Sequence, residues 1–243
     1  MKHFIFYFLL NFAFIRANAQ PAVNNFISTQ AAAQQYAQKF HGRSLIIFPE
    51  VRENPIRWDD SLRLNWLENN YTIKPYVFQA QPGEYFVFQV GAWAFDQDIK
   101  NVQVRVSDLK SLDGKIIASN KITCFNTRGT NYLGKTFAKN IDIPAGQVQA
   151  LWIGINLPET ARGKYNGNVS ISANGVPAKS IKMEIEISGK MVADHGIDEG
   201  KHLSRLAWLN SNVGINNKIT RGYIPVSRED KVIKILGRST EIG

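Results

Sequence analysis

Apolar and polar residues alternate most clearly within residues 147–173. Across residues 165–171, Tyr, Gly, Val and Ile occupy every second position, with Asn and Ser between them. This alternation is typical of a β-strand with one face in a core and the other in water. The preceding residues 148–157 are rich in β-branched and aromatic side chains, and Pro158 cannot donate a ladder hydrogen bond. The stretch therefore predicts two strands joined by a turn.

Short segments of the same kind recur through residues 75–190, separated by turn residues such as Gly, Pro, Asn and Asp. Asp113-Gly114 is a strong hairpin signal within this region. About seven or eight short strands at near-regular spacing are typical of an immunoglobulin-like fold. The pattern predicts a mainly β protein whose antiparallel β-sandwich occupies residues 44–190 and is best defined over 75–190.

A helical pattern precedes the predicted sandwich. Residues 24–42 have high helix propensity, an apolar stripe, a possible cap at Ser28 or Thr29 and a stop at Gly42. We expect this N-terminal helix, within residues 20–43, to pack against the first sheet. Residues 44–48 predict the following strand, which we expect to end at Pro49.

Residues beyond the sandwich show a different pattern. Residues 191–202 are polar and predict a linker. Residues 203–243 contain short apolar segments, including 204–211 and 232–238, which predict short strands and turns, with a turn at Glu229-Asp230. A strand group this small is marginal alone. It therefore predicts the start of a second, truncated β-domain.

The first residues resemble a secretory signal peptide. Lys2 and His3 precede an apolar run at residues 4–15, which is too short to span a bilayer, and Ala17-Asn18-Ala19 forms a small-residue cleavage motif. Residues 1–19 are therefore predicted to be removed. The expected location is periplasmic, outer-surface or extracellular, and no later stretch is apolar and long enough to cross a membrane.

Composition and charge narrow the function only slightly. The formal net charge is +9, but Lys and Arg are interleaved with acidic residues and form no dense run, so we predict no nucleic-acid partner. The single cysteine, Cys124, excludes an intramolecular disulfide. It lies in an alternating apolar segment and predicts a small buried side chain rather than a nucleophile.

Aromatic residues are mixed with amides and carboxylates around residues 57–71. Sugar sites use this mix, because an aromatic face stacks on a pyranose while polar groups bond its hydroxyls. Trp58, Trp66 and Tyr71 are therefore candidate carbohydrate-binding residues. The alternative is that the two tryptophans belong to a core or an inter-domain contact, since large aromatics bury the most surface.

No catalytic or metal-binding set emerges from the sequence. Asp59 and Asp60 are adjacent and would point apart in an extended chain, whereas Glu184 and Glu186 fall on the wet face of a predicted strand. The Asp and His residues of the 191–202 segment match no closed metal-site spacing. We predict no catalytic residue, no metal site and no cofactor in this chain.

Several motifs together resemble a known family. The first set is Leu151-Trp152 with Pro158, followed by Gly163-Lys164-Tyr165-Asn166-Gly167-Asn168-Val169. Pro82-Gly83-Glu84 and the Cys124-x-Asn126-x-x-Gly129 spacing belong to the same pattern, which resembles accessory β-sandwiches of large secreted bacterial glycosidases. The segment 204–211, SRLAWLNS, is similar to the SRLRWLNS segment in the N-terminal region of glycoside hydrolase family 123 proteins, with Ala207 in place of an arginine. The junction before Gln20 resembles that of exported Bacteroidetes proteins.

This resemblance implies an accessory role. Family 123 enzymes are retaining β-N-acetylgalactosaminidases that use the substrate acetamido group as nucleophile, and their acidic pair lies on a downstream (β/α) barrel. Such a barrel needs about 250 residues, and no alternating strand–helix pattern occurs here. The resemblance therefore implies a non-catalytic N-terminal region that supports a catalytic domain or orients glycan. The alternative is a stand-alone carbohydrate-binding or cell-surface adhesion module.

Overall fold

The computed structural model describes residues 26–57, 61–69, 71, 73–212, 214–215, 219 and 222–243. The predicted signal peptide lies outside the described residues. Most regular structure in the described part is β, which confirms the predicted mainly β class. The strands are β1 Phe26–Ser28, β2 Leu45–Val51, β3 Ser61–Arg63, β4 Tyr76–Ala80, β5 Tyr85–Ala94, β6 Ile99–Val106, β7 Leu109–Ser111, β8 Ile116–Ile117, β9 Ile122–Cys124, β10 Arg128–Thr130, β11 Thr136–Ala138, β12 Ile141–Ile143, β13 Val148–Asn156, β14 Gly163–Ala173, β15 Val176–Ile187, β16 Ser227–Glu229, β17 Val232–Ile235 and β18 Arg238–Glu241.

Helical segments are short. The α-helices are α1 Thr29–Gln35 and α2 Leu64–Glu68, and the 3-10 helices are Ser119–Lys121, Ala193–Gly196, Gly200–His202 and Ser204–Asn210. Among the described residues, no helix has the length and apolar character needed to cross a membrane.

Two sheets form the sandwich. A four-stranded sheet has the order β2-β5-β13-β9. A seven-stranded sheet follows the path β12-β6-β14-β15-β4, and β7 and β8 extend it beside β14. The strand pairs in these sheets are antiparallel, except that β4 runs parallel to β15 at the edge. The inner faces of both sheets meet in one core that includes Phe88, Ile153, Tyr165 and Ile185.

The alternation in the sequence is confirmed on β14. Tyr165 and Val169 are buried in the core, while Asn166 and Asn168 lie exposed on the outer face. However, β13 and β14 do not pair with each other, because β13 belongs to the four-stranded sheet and β14 to the seven-stranded sheet. The connection after Pro158 therefore carries the chain from one layer to the other.

Pro49 lies inside β2 rather than at its end, so the predicted strand end was wrong. It is paired in register with Val90 of β5. Because β2 is the edge strand of its sheet, a residue without a backbone N–H is tolerated there. The strand continues to Val51 and brings Glu50 and Arg52 to the same end of the molecule.

A second core covers the other face of the four-stranded sheet. Ala32 of α1 and Phe40 belong to this core together with Ile46 and Trp93, and the Phe40 ring lies 6.2 Å from that of Trp93, which confirms that the N-terminal helical segment packs on the first sheet. The helix is shorter than the predicted 24–42, because residues 26–28 form β1 and α1 ends at Gln35. Ser28 caps α1, and its hydroxyl accepts a hydrogen bond from the Ala31 amide at 3.1 Å. The remaining residues to Gly42 form turns.

Residues 191–210 contact the sandwich closely. The Val192 amide donates to the Pro82 carbonyl at 2.9 Å, and Nδ1 of His195 lies 2.7 Å from the Gly83 carbonyl. The predicted strand at 204–211 was wrong, since Ser204–Asn210 forms a 3-10 helix. The buried Ser204 hydroxyl donates to the Tyr85 carbonyl at 3.0 Å, which holds this helix against β5.

The final strands form a separate three-stranded sheet with the order β16-β17-β18. Asp230 adopts a positive φ in the turn between β16 and β17, which confirms the predicted turn at Glu229-Asp230. The residues of this sheet and its turns are mostly exposed, including Ile235 in β17 and Leu236 in the turn after it.

Candidate functional site

A groove runs along the outside of β4, at the edge of the seven-stranded sheet. Its volume is about 500 Å³, which is within the usual range for small-ligand sites. The lining is a mixture of aromatic, amide, apolar and cationic side chains. These residues are Asn65, Asn69, Tyr71, Ile73, Lys74, Pro75, Tyr76 and Val77.

Two elements meet to build this groove. The short helix α2 supplies Asn65, and its C-terminal amide Asn69 donates from Nδ2 to the Asn65 carbonyl at 2.8 Å. The segment before β4 follows the sheet edge, since the Lys182 amide of β15 donates to the Tyr71 carbonyl at 3.1 Å. The sheet therefore fixes the position of Tyr71 relative to β4.

Two tyrosine rings lie side by side at this site. The centroids of Tyr71 and Tyr76 are 5.8 Å apart in an edge-to-face arrangement, and Tyr76 also packs on Phe78 at 4.7 Å. Both tyrosines are half-buried, with Ile73 73% exposed and Val77 46% exposed beside them. The rings pack against the core and still border the groove.

Burial shapes the acid–base behaviour of both phenols. Burial raises the pKa of Tyr71, with a smaller opposing effect from its hydrogen bond with Asn69. Burial, followed by the negative charge of Glu50, raises the pKa of Tyr76 to about 12. Both hydroxyls are therefore neutral at physiological pH and can both donate and accept hydrogen bonds.

Trp66 occupies a different environment from the groove tyrosines. It is 4% exposed, and its ring stacks on Phe48 with centroids 4.4 Å apart. Its indole Nε1–H donates to Oε2 of the buried Glu50 at 2.7 Å. These contacts favour the packing alternative for Trp66. An edge of the residue also borders a neighbouring cavity of about 420 Å³ that contains Arg57 and Arg63.

The three candidate carbohydrate-binding residues therefore lie in different environments or outside the described part of the chain. Trp58 lies outside the described residues. Tyr71 lines the groove together with Asn65 and Asn69, which belong to the same aromatic and amide segment that the sequence singled out. A carbohydrate-binding role for these residues stays a prediction.

Sequence reasoning did not identify Tyr76 or Lys74 as part of a site. Tyr76 and Phe78 alternate with polar and smaller residues, a pattern that indicates a strand but carries no signal of a site. Tyr76 is the first residue of an edge strand, so one side of its ring borders the groove. The placement of Tyr76 next to Tyr71 depends on the parallel pairing of β4 with β15, for which the sequence carries no local signal.

A buried ionic cluster lies at the end of β2. Arg52 is 8% exposed and pairs with Glu84, which is fully buried. The same guanidinium donates to the His202 carbonyl at 3.2 Å, and Glu84 also accepts from the Gln81 amide at 2.9 Å. The cluster joins β2, the turn before β5 and the 200–204 segment. We assign it a structural role, since its charges are engaged with each other.

The two glutamates that the sequence singled out on β15 also have defined partners. Glu184 pairs with Lys164 at 2.8 Å, and Glu186 accepts from the side chain of Gln79 at 2.9 Å. Asp59 and Asp60 lie outside the described residues. Within the described part of the chain, no group of three or more His, Cys, Asp or Glu side chains is arranged to hold a metal ion.

Cys124 is 3% exposed in β9, which confirms the expectation of a small buried side chain. Burial raises the pKa of its thiol, so the thiolate needed for nucleophilic attack is disfavoured.

Comparison with known proteins gives only distant likenesses. The chain matches no known protein family profile, and no curated protein matches it in sequence. Among solved structures, it is similar to a family 123 glycoside hydrolase from Clostridium perfringens, with 18% identity, a TM-score of 0.41, and coverage of 48% of this chain and 23% of that chain.

The chain is also similar to proteins of other kinds. One is the periplasmic chaperone SfaE, with 10% identity, a TM-score of 0.31, and coverage of 49% of this chain and 57% of that chain. Another is MyfA, the major subunit of Myf fimbriae from Yersinia enterocolitica, with 9% identity, a TM-score of 0.32, and coverage of 48% of this chain and 94% of that chain. At these identities and TM-scores, the likenesses carry no conclusion about function.

Proposed function

We propose that this chain is a non-catalytic β-sandwich module of a secreted, family 123-like glycoside hydrolase, and that it holds glycan in the groove beside β4. The observation that carries this proposal is the pairing of Tyr71 and Tyr76 at 5.8 Å within a groove that also contains Asn65 and Asn69. Aromatic rings and amides are the groups that stack on sugar rings and bond their hydroxyls. The proposed substrate type of the whole enzyme, β-N-acetylhexosaminides, follows from the sequence resemblance.

A second feature supports attachment to a further domain. Trp208 and Leu209 are 52% and 53% exposed on the 3-10 helix Ser204–Asn210, and Tyr223 and Ile224 are 59% and 60% exposed after it. Exposed large apolar side chains in this C-terminal part of the chain favour a contact surface. The Arg52–Glu84 pair attaches this region firmly to the sandwich through the His202 carbonyl. We propose that a catalytic domain encoded downstream packs there.

The test of this proposal has two measurements on the same protein. The first is hydrolysis of aryl β-N-acetylhexosaminides, for which we expect no turnover above background. The second is binding on a glycan array followed by calorimetry. Tyr71→Ala and Tyr76→Ala are each expected to weaken binding by roughly tenfold, as for an anchor residue in a binding site.

Tyr132→Ala provides the matched control, because Tyr132 is 85% exposed and lies outside the groove. Circular dichroism and thermal unfolding confirm that each variant is folded. Turnover by the isolated chain, or glycan binding that survives both groove substitutions, would contradict the proposal.

A stand-alone carbohydrate-binding or adhesion module is the second candidate, and the same groove favours it. The coding sequence after the codon for Gly243 distinguishes the two. A continuing or frame-shifted (β/α) barrel supports the enzyme module, whereas an intact stop codon followed by unrelated sequence supports the stand-alone module.

A further inference from the structure

The groove beside β4 adjoins a second cavity, and Pro75 lines both. This second cavity has a volume of about 630 Å³ and lies on the outer face of the seven-stranded sheet. Most of its lining residues carry polar or charged side chains. The residues that line it are Pro75, Ser107, Asp108, Lys110, Asn166, Gly167, Asn168, Lys182 and Met183. The two cavities together form one extended surface, which we call the β4 groove.

Strand register explains why polar groups gather in the second cavity. Asn166 of β14 lies opposite Lys110 of β7, and Asn168 lies opposite Lys182 of β15. All four side chains are exposed, because they occupy the positions between the buried residues of their strands. Each of these two asparagines therefore faces a lysine of a neighbouring strand.

Charge is unbalanced along the β4 groove. Lys74, Lys110 and Lys182 line it, and Asp108 is the acidic residue among its lining residues. The carboxylate of Asp108 accepts the Ser119 amide at 2.8 Å.

Nearby carboxylates offset this positive charge only in part, since Asp108 interacts electrostatically with Lys110. Glu184 lies between Asn166 and Val77 on the same face, but its carboxylate is paired with Lys164 at 2.8 Å. Within the described part of the chain, Lys74, Lys110 and Lys182 form no ion pair. The β4 groove therefore presents positive charge to a ligand.

We infer that the ligand of the β4 groove is an acidic oligosaccharide, whose sugar rings contact Tyr71 and Tyr76 and whose carboxylate or sulfate groups contact Lys110 and Lys182. This inference rests on the proposed glycan-binding function and adds the ligand class. The groove favours a glycan over a nucleic acid, because its cations are few and lie among amides rather than along an extended basic track.

The test is calorimetric titration of the full chain with matched oligosaccharides. One ligand alternates hexuronate with N-acetylhexosamine, the second is its carboxyl-reduced neutral counterpart, and the third is the neutral ligand carrying O-sulfate. We expect the acidic ligands to bind tighter than the neutral one. The relative affinities of the hexuronate and sulfate ligands identify which anion the lysines prefer.

A double lysine variant and a control variant test whether Lys110 and Lys182 bind the acidic groups of the ligand. Lys110→Gln combined with Lys182→Gln is expected to weaken binding of the acidic ligand by about fivefold, as for exposed charge contacts, and to leave binding of the neutral ligand unchanged. Lys231→Gln is the matched control, because Lys231 is exposed in the turn between β16 and β17. Added salt is expected to reduce the preference for the acidic ligands, since it screens exposed charges.

The possible failures are distinguishable. Equal affinity for acidic and neutral ligands would overturn the inference while the proposed glycan-binding function stands. Binding of none of the three would contradict both. Tighter binding of a single-stranded DNA oligonucleotide than of the acidic glycan, lost in the same double lysine variant, would overturn the inference in favour of a general polyanion site.

Discussion

The two sheets of the sandwich differ in how they are covered. The four-stranded sheet is buried on both faces, by the common core on one side and by α1, Phe40 and α2 on the other. The seven-stranded sheet is buried on one face only, and its outer face carries Asn166, Lys182 and the β4 groove. The first sheet is therefore a scaffold, whereas the second has a surface available for ligands. Substitutions in the two sheets should have different consequences.

The largest effect is expected in the doubly covered sheet. Trp93 of β5 is fully buried, and its ring packs edge-to-face on Phe95 at 5.0 Å and Phe40 at 6.2 Å. Trp93→Ala should lower the free energy of unfolding by about 3 to 5 kcal/mol through lost burial and a residual cavity. Val77→Ala on the outer edge of the other sheet should change it by less than about 0.5 kcal/mol. Urea unfolding measures both values. Similar losses of unfolding free energy for the two variants would contradict the proposed difference between the sheets.

The ionic cluster at the end of β2 should give the next largest effect. Glu84→Gln removes the buried anionic partner of the Arg52 guanidinium and should destabilise the fold by about 3 kcal/mol. Glu53→Gln is the matched control, because Glu53 contacts the same guanidinium at 3.1 Å but its side chain is 59% exposed. We expect the control to have little effect. Equal losses of unfolding free energy would contradict the structural role of Glu84.

Close packing within the scaffold sheet predicts a smaller effect. A Cβ atom at Gly91 would overlap the ring of Phe48, which is itself fixed by stacking on Trp66. Gly91→Ala should therefore lower the unfolding free energy by about 1 to 3 kcal/mol. Gly200→Ala is the control, because no heavy atom lies within 4 Å of a Cβ placed there. Thermal unfolding of both variants checks this, and an unchanged midpoint for Gly91→Ala would contradict the packing account.

The smallest effect concerns the pH dependence of stability at the groove. The pKa of Tyr76 is raised from 10.0 to about 12, mainly by burial. The folded state therefore retains this proton to higher pH than the unfolded chain does. The associated stability is fully present below pH 10 and is lost as pH rises toward about 12. Tyr76→Phe should make the decline in unfolding free energy over this window shallower. Denaturant unfolding across the window measures the slope, and an unchanged slope would contradict the burial of Tyr76.

Local patterns predicted much of the fold because they act over a few residues. Alternation placed Tyr165 and Val169 in the core, and Asp113-Gly114 marked a turn that the structure contains between β7 and β8. The predicted strand end at Pro49 was wrong, because proline is tolerated in β2 only through its position at the edge, which is a property of the whole sheet. The 3-10 conformation of Ser204–Asn210 was missed for a similar reason, since it packs on β5, which is distant in the chain.

The candidate site was predictable only in part. The aromatic and amide composition around Tyr71 singled out one side of the groove. Composition could not separate Tyr71 from Trp66, because stacking on Phe48 and the hydrogen bond to Glu50 bury Trp66. The lysine-lined part of the β4 groove could not be predicted, because it is formed by strand pairing and backbone contacts, such as those of Asn168 and Tyr71 with Lys182.

Amide hydrogen exchange with and without an acidic oligosaccharide tests the central claim most directly, because it locates the bound ligand on the fold. The account predicts slower exchange at residues 73–77 and 166–168 and around Lys182, with no change in the α1 segment that covers the scaffold sheet. Protection confined to that covering segment or to residues 203–243, or no protection at saturating ligand, would contradict the assignment of the β4 groove as the glycan site.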